Sequence, residues 1–195
     1  MTGTNSTTDV IVVGAGMAGL TAATELAKAG VSSIVLDKGR APGGRMATRS
    51  INGARFDHGA QHFSARSDAF RQRVTHLRDI GIVAEWYEAT SWTTPGSGKE
   101  PRLVGSGGMR CIPEHIATGL DVRTSVEVDR LELGQGLTAL AGGHPVAHGS
   151  AVILTPPAPQ LLGLLQASEL RLESEVAEGL KAVEYNLSLT VMVTL

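Results

Sequence analysis

Residues 10–36 carry the apolar pattern of a strand, a helix and a second strand. Residues 10–13 (VIVV) form an uninterrupted apolar run rich in β-branched residues, which predicts a strand buried on both faces of a sheet. A helical pattern follows and should end at Gly30, and residues 33–36 (SIVL) predict a second buried strand. Strands joined in this way are parallel, so the sequence predicts a βαβ unit. The apolar face of the helix is predicted to consist of Leu20, Ala23 and Ala27.

The rest of the pattern predicts a mixture of helices and strands. A helix is expected over residues 67–80, where Ser67 can cap the start and Gly81 can end the last turn. Phe70, Val74 and Leu77 share one face of that helix. The other predicted elements are a loop at 93–108, helices at 113–117, 160–166 and 173–183, strands at 122–128, 131–133 and 151–154, and a turn at 134–136.

The sequence closes on an apolar run that is typical of a strand. Residues 187–195 (LSLTVMVTL) are uncharged and reach the last position without a polar tail. A strand of this kind leaves apolar surface that needs a partner strand. We therefore expect the sequence to be a fragment, with further polypeptide completing the fold.

Composition and charge argue against several classes of protein. The chain has 195 residues, 42% hydrophobic and 18% charged, so it can bury the core of one domain and is unlike a disordered protein. A formal net charge of −2 argues against a nucleic-acid or membrane-surface binder. Cys111 is the single cysteine, so no internal disulfide forms, and residues 1–9 lack the features of a signal peptide. We predict a cytoplasmic protein that contacts neither nucleic acid nor membrane.

Glycine is over-represented, and three glycines form a motif. The chain has 24 glycines, against a usual share of about 7%. In the motif Gly14-x-Gly16-x-x-Gly19, the first glycine would allow a tight turn, the second would let a pyrophosphate approach, and the third would let helix and strand pack closely. Asp37, 23 residues beyond Gly14, would accept hydrogen bonds from ribose hydroxyls. The alternative is a plain glycine-rich turn with Asp37 as a surface carboxylate.

A second glycine motif lies in a basic stretch. Gly43 and Gly44 would let the backbone lie against a flat or charged ligand, and Arg45 could pair with phosphate oxygens through its planar guanidinium group. Residues 38–78 contain nine Lys or Arg against two Asp, so this region is expected to face an anion. The alternatives are a solvated basic loop and, with less support, a nucleic-acid groove.

Histidines and the cysteine form no recognisable catalytic or metal-binding constellation. His58 and His62 are four residues apart and could clamp a metal on a helix, but the glycine between them and the lack of a nearby third ligand argue against a metal. His144 and His148 repeat the spacing and are predicted to lie in a turn. Cys111 is expected to be a small buried apolar residue rather than a covalent attachment point. We predict no metal and assign no catalytic residue.

Four segments of the chain are VIVVGAGMAGLTAA, DKGRAPGGRMATR, FDHGAQHF and LVGSGGM. In their order and spacing they resemble renalase-like flavoproteins, a group within the FAD-dependent amine-oxidase-type oxidoreductases. The resemblance covers most of residues 9–165. It implies an α/β fold in which a Rossmann-like FAD-binding domain of the GR2 type is interrupted by an inserted, incomplete substrate domain. The implied segments are 9–65 and 119–165 for the FAD-binding domain, with 66–118 and 166–195 for the substrate domain.

The resemblance also implies which residues contact the cofactor, FAD. Arg45 and the motif residues Gly14, Gly16, Ala18 and Gly19 would contact the pyrophosphate. Asp37 would hold the adenosine ribose. Gln61 with His62 would lie beside the flavin end, and Val128 would meet the adenine. The residues expected to bind FAD are Gly14, Gly16, Ala18, Gly19, Asp37, Lys38, Arg40, Gly44, Arg45, Ala60, Gln61, His62 and Val128.

The sequence departs from the pattern of the family at certain positions. His62 stands where the family usually has Tyr or Phe, and Pro113 lies in a helix that usually lacks proline. The final segment of the family, which holds the ribityl chain and the flavin, does not occur before residue 195. Residues 155–157 (TPP) would pass near the cofactor after their strand.

The implied activity is transfer of a hydride from a small substrate to the flavin, which oxygen then reoxidises. The implied substrates are isomers of reduced nicotinamide nucleotides, with a simple amine as the second candidate. Two alternatives stay open: a truncated, non-catalytic remnant that binds a dinucleotide weakly or not at all, and a dinucleotide-binding module completed by a partner chain. The sequence does not predict the oligomeric state.

Overall fold

The computed structural model describes residues 6–90 and 98–193. They belong to two compact units, which we describe separately. The first unit comprises the chain up to Gly44 together with Ile116–Leu189, and the second comprises Arg45–His115 together with the segment that starts at Thr190. The four domain segments inferred from the resemblance remain a prediction for the whole protein.

The described residues form both strands and helices. In chain order the strands are β1 (Ser6–Val13), β2 (Ser33–Leu36), β3 (Thr48–Ile51), β4 (Ala54–Asp57), β5 (Val83–Thr90), β6 (Lys99–Gly105), β7 (Asp121–Arg123), β8 (Arg130–Gly134), β9 (Gly136–Ala141) and β10 (His144–Leu154). The helices are α1 (Met17–Lys28), α2 (Asp68–Asp79), α3 (Cys111–Ala117), α4 (Ala158–Ala167) and α5 (Ser174–Lys181), with a 3₁₀ turn at Gly44–Met46.

The first unit is built around a mixed sheet. Its described strands form one six-stranded sheet in the order β7-β2-β1-β10-β9-β8. β1 pairs in parallel with β2 and with β10, and β2 pairs in parallel with β7, whereas β8, β9 and β10 are antiparallel. The carboxyl ends of the parallel strands therefore meet at one edge, which is where open α/β sheets bind ligands. The predicted βαβ unit and Rossmann-like fold are confirmed.

β1 is buried on both faces, as its apolar run predicts. Val10 and Val12 belong to a cluster that includes side chains of α1. Ile11 and Val13 belong to a second cluster, which includes Leu164 of α4. Because successive side chains of a strand point to opposite faces, β1 anchors one helix on each side of the sheet.

The helices lie close to their predicted positions. In α1, Leu20 and Ala23 are buried as predicted, but Ala27 is exposed, because Leu26 and Val31 cover the core near the end of the helix. Gly30 follows α1 with a φ of +73°, which suits a glycine after a helix. The helix predicted at 67–80 is α2, and the predictions at 113–117, 160–166 and 173–183 correspond to α3, α4 and α5.

The strand predicted over residues 122–128 is shorter in the structure. Its pairing with β2 ends at Arg123. Ser125 then adopts a φ of +58°, and its N–H group donates to the carbonyl of Gly39 rather than to a sheet strand. The remainder of the predicted strand is therefore a loop, which donates hydrogen bonds to the residues just after β2.

The turn predicted around His144 and His148 is wrong. Both histidines lie in β10, which is longer than the predicted strand at 151–154. The turn is formed instead by Gly142 and Gly143, whose φ values are +58° and +77°. Two glycines of this kind make a tight hairpin, so the following residues continue as a strand.

The second unit contains two antiparallel hairpins, β3–β4 and β5–β6, together with α2. The loop predicted at 93–108 is wrong over the residues of β6, because β6 pairs along β5. Residues 93–97 of that prediction lie outside the described residues. The predicted strand at 187–195 is also wrong over 187–193, where no described strand pairs with it; residues 194–195 lie outside the described residues.

Candidate cofactor site

The first glycine motif joins β1 to the start of α1. Gly16 is the N-cap residue, in an extended conformation with a φ of −81° and a ψ of 179°. The first hydrogen bond of the helix runs from the N–H group of Leu20 to the carbonyl of Gly16. Every residue of α1 is described, and its first turn carries no acidic side chain. The preceding N–H groups have no acceptor within the helix, so this end of α1 can bind an anion.

The three glycines of the motif meet different surroundings. Gly14 has a φ of +108°, and a Cβ there would lie 2.4 Å from Oγ1 of Thr155. A Cβ on Gly19 would lie 1.9 Å from the carbonyl oxygen of Gly14. Around a Cβ on Gly16, no described atom other than those of its chain neighbours lies within 4 Å. The fold thus explains the first and third glycines, whereas the second faces open space that fits the approach of a pyrophosphate.

The carboxylate of Asp37 contacts the turn between β1 and α1. Its Oδ2 accepts a hydrogen bond of 2.6 Å from the N–H group of Ala15, and its Oδ1 accepts one of 2.6 Å from the N–H group of Gly39. The carboxylate is therefore fixed at the carboxyl edge of the sheet, beside the motif. Each oxygen has a further lone pair, so the fixed carboxylate can still accept from ribose hydroxyls.

The second glycine motif begins against the first. The N–H group of Gly43 donates to the carbonyl of Ala15 over 2.9 Å. Gly44 has a φ of +52°, and a Cβ on it would lie 3.4 Å from the Cα atom of Gly16. The structure therefore brings Gly44 to the glycine that faces open space. A side chain at position 44 would reduce the room beside that glycine.

Four other predicted FAD ligands belong to the same unit. Ala18 lies exposed in the first turn of α1, and the side chains of Lys38 and Arg40 are exposed just after β2. Val128 is half-buried against the core of this unit. It follows a segment in which the N–H group of Val126 donates to the carbonyl of Asp37. Ala18 adjoins the turn, Lys38 and Arg40 follow Asp37, and Val128 follows the segment that contacts Asp37. The contact of all four residues with FAD stays a prediction.

The remaining predicted ligands belong to the second unit. The carbonyl of Arg45 accepts a 2.8 Å hydrogen bond from the N–H group of Ala60. A Cβ on Gly59 would lie 2.1 Å from the same carbonyl oxygen, so a glycine is required for this close approach. Arg45 and Gln61 have exposed side chains. The structure therefore brings Arg45 and the segment that leads to Gln61 together through their backbones.

His62 lies in a cluster of three rings that the sequence pattern alone does not reveal. The ring centroid of His62 is 6.2 Å from those of Trp86 and Tyr87, which are 4.9 Å from each other. Neighbouring residues of a strand normally point to opposite faces, but the register of β5 shifts between Glu85 and Tyr87. The two adjacent aromatic residues, in a chain that is only 4% aromatic, were the available signal.

A partly buried polar network joins two further motifs of the second unit. Oδ1 of Asp57 accepts hydrogen bonds from the hydroxyl of Thr48 over 2.5 Å and from the N–H group of Met109 over 2.9 Å. The N–H group of Arg110 donates to the same hydroxyl over 3.1 Å. The segments FDHGAQHF and LVGSGGM, distant in sequence, are therefore held side by side.

Neither a metal-binding cluster nor a helix able to span a membrane occurs among the described residues. Within residues 6–90 and 98–193, no group of three or more His, Cys, Asp or Glu side chains could hold a metal ion. Among the helices described, none is long and apolar enough to cross a membrane.

Comparisons with known proteins identify the family. Residues 12–77 match the NAD(P)-binding Rossmann-like domain, and residues 85–195, more than half of the chain, match the flavin containing amine oxidoreductase family. The chain belongs to the flavin-containing amine oxidoreductases. The predicted cofactor, FAD, and the predicted oxidoreductase class are confirmed at the level of this family.

The relatives found are longer than this chain. A protein named flavin-containing monoamine oxidase AofH from Mycobacterium tuberculosis is 33% identical over 151 residues, which cover 67% of this chain and 32% of AofH. A hydroxyneurosporene desaturase from Rubrivivax gelatinosus is 35% identical over 103 residues, covering 48% of this chain and 18% of the desaturase. The chain spans about a third of the length of the first of these relatives.

Solved structures agree on the fold. Putrescine oxidase bound to putrescine has a TM-score of 0.62 at 19% identity, over 82% of this chain and 60% of the oxidase. A double mutant of the same enzyme gives 0.62 at 20% identity over the same shares. The narrower resemblance to renalase-like flavoproteins remains a prediction.

Proposed function

We propose that the first unit binds the adenosine diphosphate half of FAD at the turn between β1 and α1. The observation that carries this proposal is the open space at Gly16, at the N-terminal end of a helix whose first turn has no acidic side chain. The glycines on either side of it are explained by packing, whereas Gly16 is explained by a ligand. Phosphate at a helix N-terminus is stabilised by the free N–H groups and by the helix dipole.

Each residue around the turn has a proposed role. The N–H groups of the first turn of α1, including that of Ala18, would donate to the pyrophosphate, and Gly44 would leave room beside it. Asp37, already fixed by two backbone N–H groups, would accept from the ribose hydroxyls. The exposed cations Lys38 and Arg40 would add attraction to the phosphates. Val128 would offer its backbone to the adenine.

For the second unit, we propose FAD contacts at the four predicted ligands that it contains. The guanidinium group of Arg45 is exposed and can form a charge-assisted pair with phosphate oxygens. Ala60 makes the backbone contact to Arg45, and Gln61 and His62 follow it. All three would lie beside the flavin.

When bound, FAD supplies the chemistry of accepting a hydride from the substrate and passing the electrons to oxygen. We propose a small amine as the substrate class, because the relatives and structural neighbours include a monoamine oxidase by name and a putrescine oxidase. A dihydronicotinamide-type substrate, which the resemblance to renalase-like proteins implies, is the second candidate. A cytoplasmic location, supported by the single cysteine, and the absence of nucleic-acid or membrane partners are proposals of the same kind.

The first experiment is a titration of the purified chain with FAD, followed by visible absorption and by quenching of flavin fluorescence. Saturable binding at one FAD per chain is expected. The loaded protein is then mixed without oxygen with putrescine, with a simple monoamine or with an isomer of reduced nicotinamide nucleotide. Bleaching of the flavin band by an amine supports the proposed substrate class.

Other results would redirect the proposal. Bleaching by the nicotinamide isomer alone would support the second candidate. A folded chain that binds no FAD at high micromolar concentration would contradict the binding role of this chain. It would favour a remnant or a module that needs a partner chain.

A further inference from the structure

The carboxyl end of β10 places a hydroxyl group against the glycine motif. β1 and β10 are parallel with Val13 opposite Leu154, so the next residue, Thr155, stands beside Gly14. Its hydroxyl lies 2.9 Å from the carbonyl oxygen of Val13, to which it donates, and 3.4 Å from that of Gly14. Both residues belong to the first unit, although 141 positions separate them in sequence.

The same hydroxyl fills the space that two of the three motif glycines leave free. A Cβ on Gly14 would lie 2.4 Å from Oγ1 of Thr155, and a Cβ on Gly19 would lie 3.1 Å from it. The threonine therefore lies between the tight turn and the first turn of α1.

Sheet formation alone does not require this hydroxyl. The carbonyl of Val13 already accepts a 3.0 Å hydrogen bond from the backbone N–H group of Thr155. Valine has the same shape as threonine and a similar preference for strands. A second donor on a carbonyl that is already paired adds little to the sheet, but it restrains the orientation of the peptide group that enters the turn.

We propose that Thr155 is a positioning residue for the cofactor: its hydroxyl holds the carbonyls at the end of β1, so that the following N–H groups point at the pyrophosphate. The other restraints on the turn come from elsewhere in the unit. The N–H group of Gly14 donates to the carbonyl of Leu36 over 2.8 Å, and that of Ala15 donates to Asp37. Thr155 restrains the remaining side of the turn, and its role rests on the proposed function for the identity of the ligand.

The test compares Thr155→Val, which removes the hydroxyl at constant volume, with Thr155→Ser, which keeps it. Thr138→Val is the matched control, because the Thr138 hydroxyl lies on the same sheet and contacts the ring of His148, 3.1 Å away, rather than the glycine turn. Two properties are measured in each variant: the Kd for FAD, and hydrogen exchange at the amides of Gly14 and Ala15 without FAD. Thr155→Val is expected to raise both the Kd and the exchange rates about tenfold, while the serine variant and the control stay within about twofold of the wild type.

The outcomes separate this inference from the proposed function. If the wild-type chain binds no FAD, the proposed function fails, and the exchange rates alone decide the role of Thr155. Unchanged exchange in Thr155→Val overturns the inference. An unchanged Kd in Thr155→Val also overturns it, provided that the wild-type chain binds FAD. Equal losses in the serine and valine variants also overturn it. Should Thr155→Val not fold, Thr155→Ala measured against Thr155→Ser isolates the hydroxyl in the same way.

Discussion

Replacing Gly16 by alanine tests whether this glycine is needed for the fold or for a ligand. The backbone of Gly16 has a φ of −81° and a ψ of 179°, a conformation that alanine adopts without strain. No described atom beyond its chain neighbours lies within 4 Å of the added methyl group. The variant should therefore fold as the wild type does. Its methyl group would occupy the space that we assign to the pyrophosphate.

The magnitude follows from the hydrogen bonds that the methyl group would displace. A bond from a backbone N–H group to a charged phosphate contributes about 1.5–3 kcal/mol. Loss of two such bonds weakens binding by about 3–6 kcal/mol, which is at least a 100-fold rise in Kd. The free energy of unfolding of the free protein should fall by no more than about 1 kcal/mol, because no packing is altered and only the preference for glycine over alanine at an N-cap is lost.

Two other glycines provide the controls. Gly163 lies in α4, and the position of its Cβ is equally open; Gly163→Ala should leave the Kd unchanged and stabilise the helix by about 0.5–1 kcal/mol. Gly19→Ala, unlike Gly16→Ala, should destabilise the fold, since its Cβ would lie 1.9 Å from the carbonyl oxygen of Gly14. We expect it to lower the free energy of unfolding by about 1–3 kcal/mol or more.

The measurements are an FAD titration by fluorescence quenching and a urea denaturation of each free variant. A Gly16→Ala protein that binds FAD as the wild type does would refute the placement of the pyrophosphate at this turn. A Gly16→Ala protein that is as unstable as Gly19→Ala would show that the space at Gly16 is not open, and Gly16 would then be a glycine that serves the fold.

The remaining predictions concern three charged residues. Arg45→Ala should weaken FAD binding by about 1.5–3 kcal/mol in a titration, whereas Arg49→Ala, a nearby exposed arginine, should change it by less than about 0.5 kcal/mol; equal effects would contradict the assignment. Asp37→Asn keeps one carbonyl oxygen but loses the charge, so calorimetry should show FAD binding weakened by about 1.5–3 kcal/mol. Hydrogen bonds from the Ser32 hydroxyl and N–H group lower the pKa of Asp9 from its ordinary value of 3.8. Their contribution is present above that value and lost as pH falls through the lowered pKa, so Asp9→Asn should flatten the fall of Tm below about pH 4.

The sequence was sufficient for the βαβ unit because local pattern and tertiary context agree there. The apolar run of β1, the glycine motif and Asp37 each satisfy a local rule, and the structure places them together. Boundaries failed where a distant partner decides the outcome. β6 is a strand because β5 pairs with it, and the segment at 187–193 is not a strand among the described residues because nothing described pairs with it.

Part of the site could not be predicted for a related reason. Thr155 reaches the glycine motif only through the parallel pairing of β1 with β10, which no local pattern reveals. The adjacent rings of Trp86 and Tyr87 pack together on His62, and the register shift in β5 beside them depends on its pairing with β6. In both cases the contact depends on topology, which residue type alone does not reveal.

The parallel pairing of β1 with β10 delays completion of the sheet during synthesis. β1 and β2 leave the ribosome before β10, which follows more than 100 residues later. At ~5–20 residues per second, one edge of β1 stays unpaired for on the order of 10 s. That edge is an exposed template for wrong strand pairing, and the glycine turn lacks its threonine restraint throughout. The nascent chain is therefore most prone to aggregation before β10 emerges. Substitutions that slow translation of the segment between β2 and β10 would lower the yield of folded protein without altering its affinity for FAD.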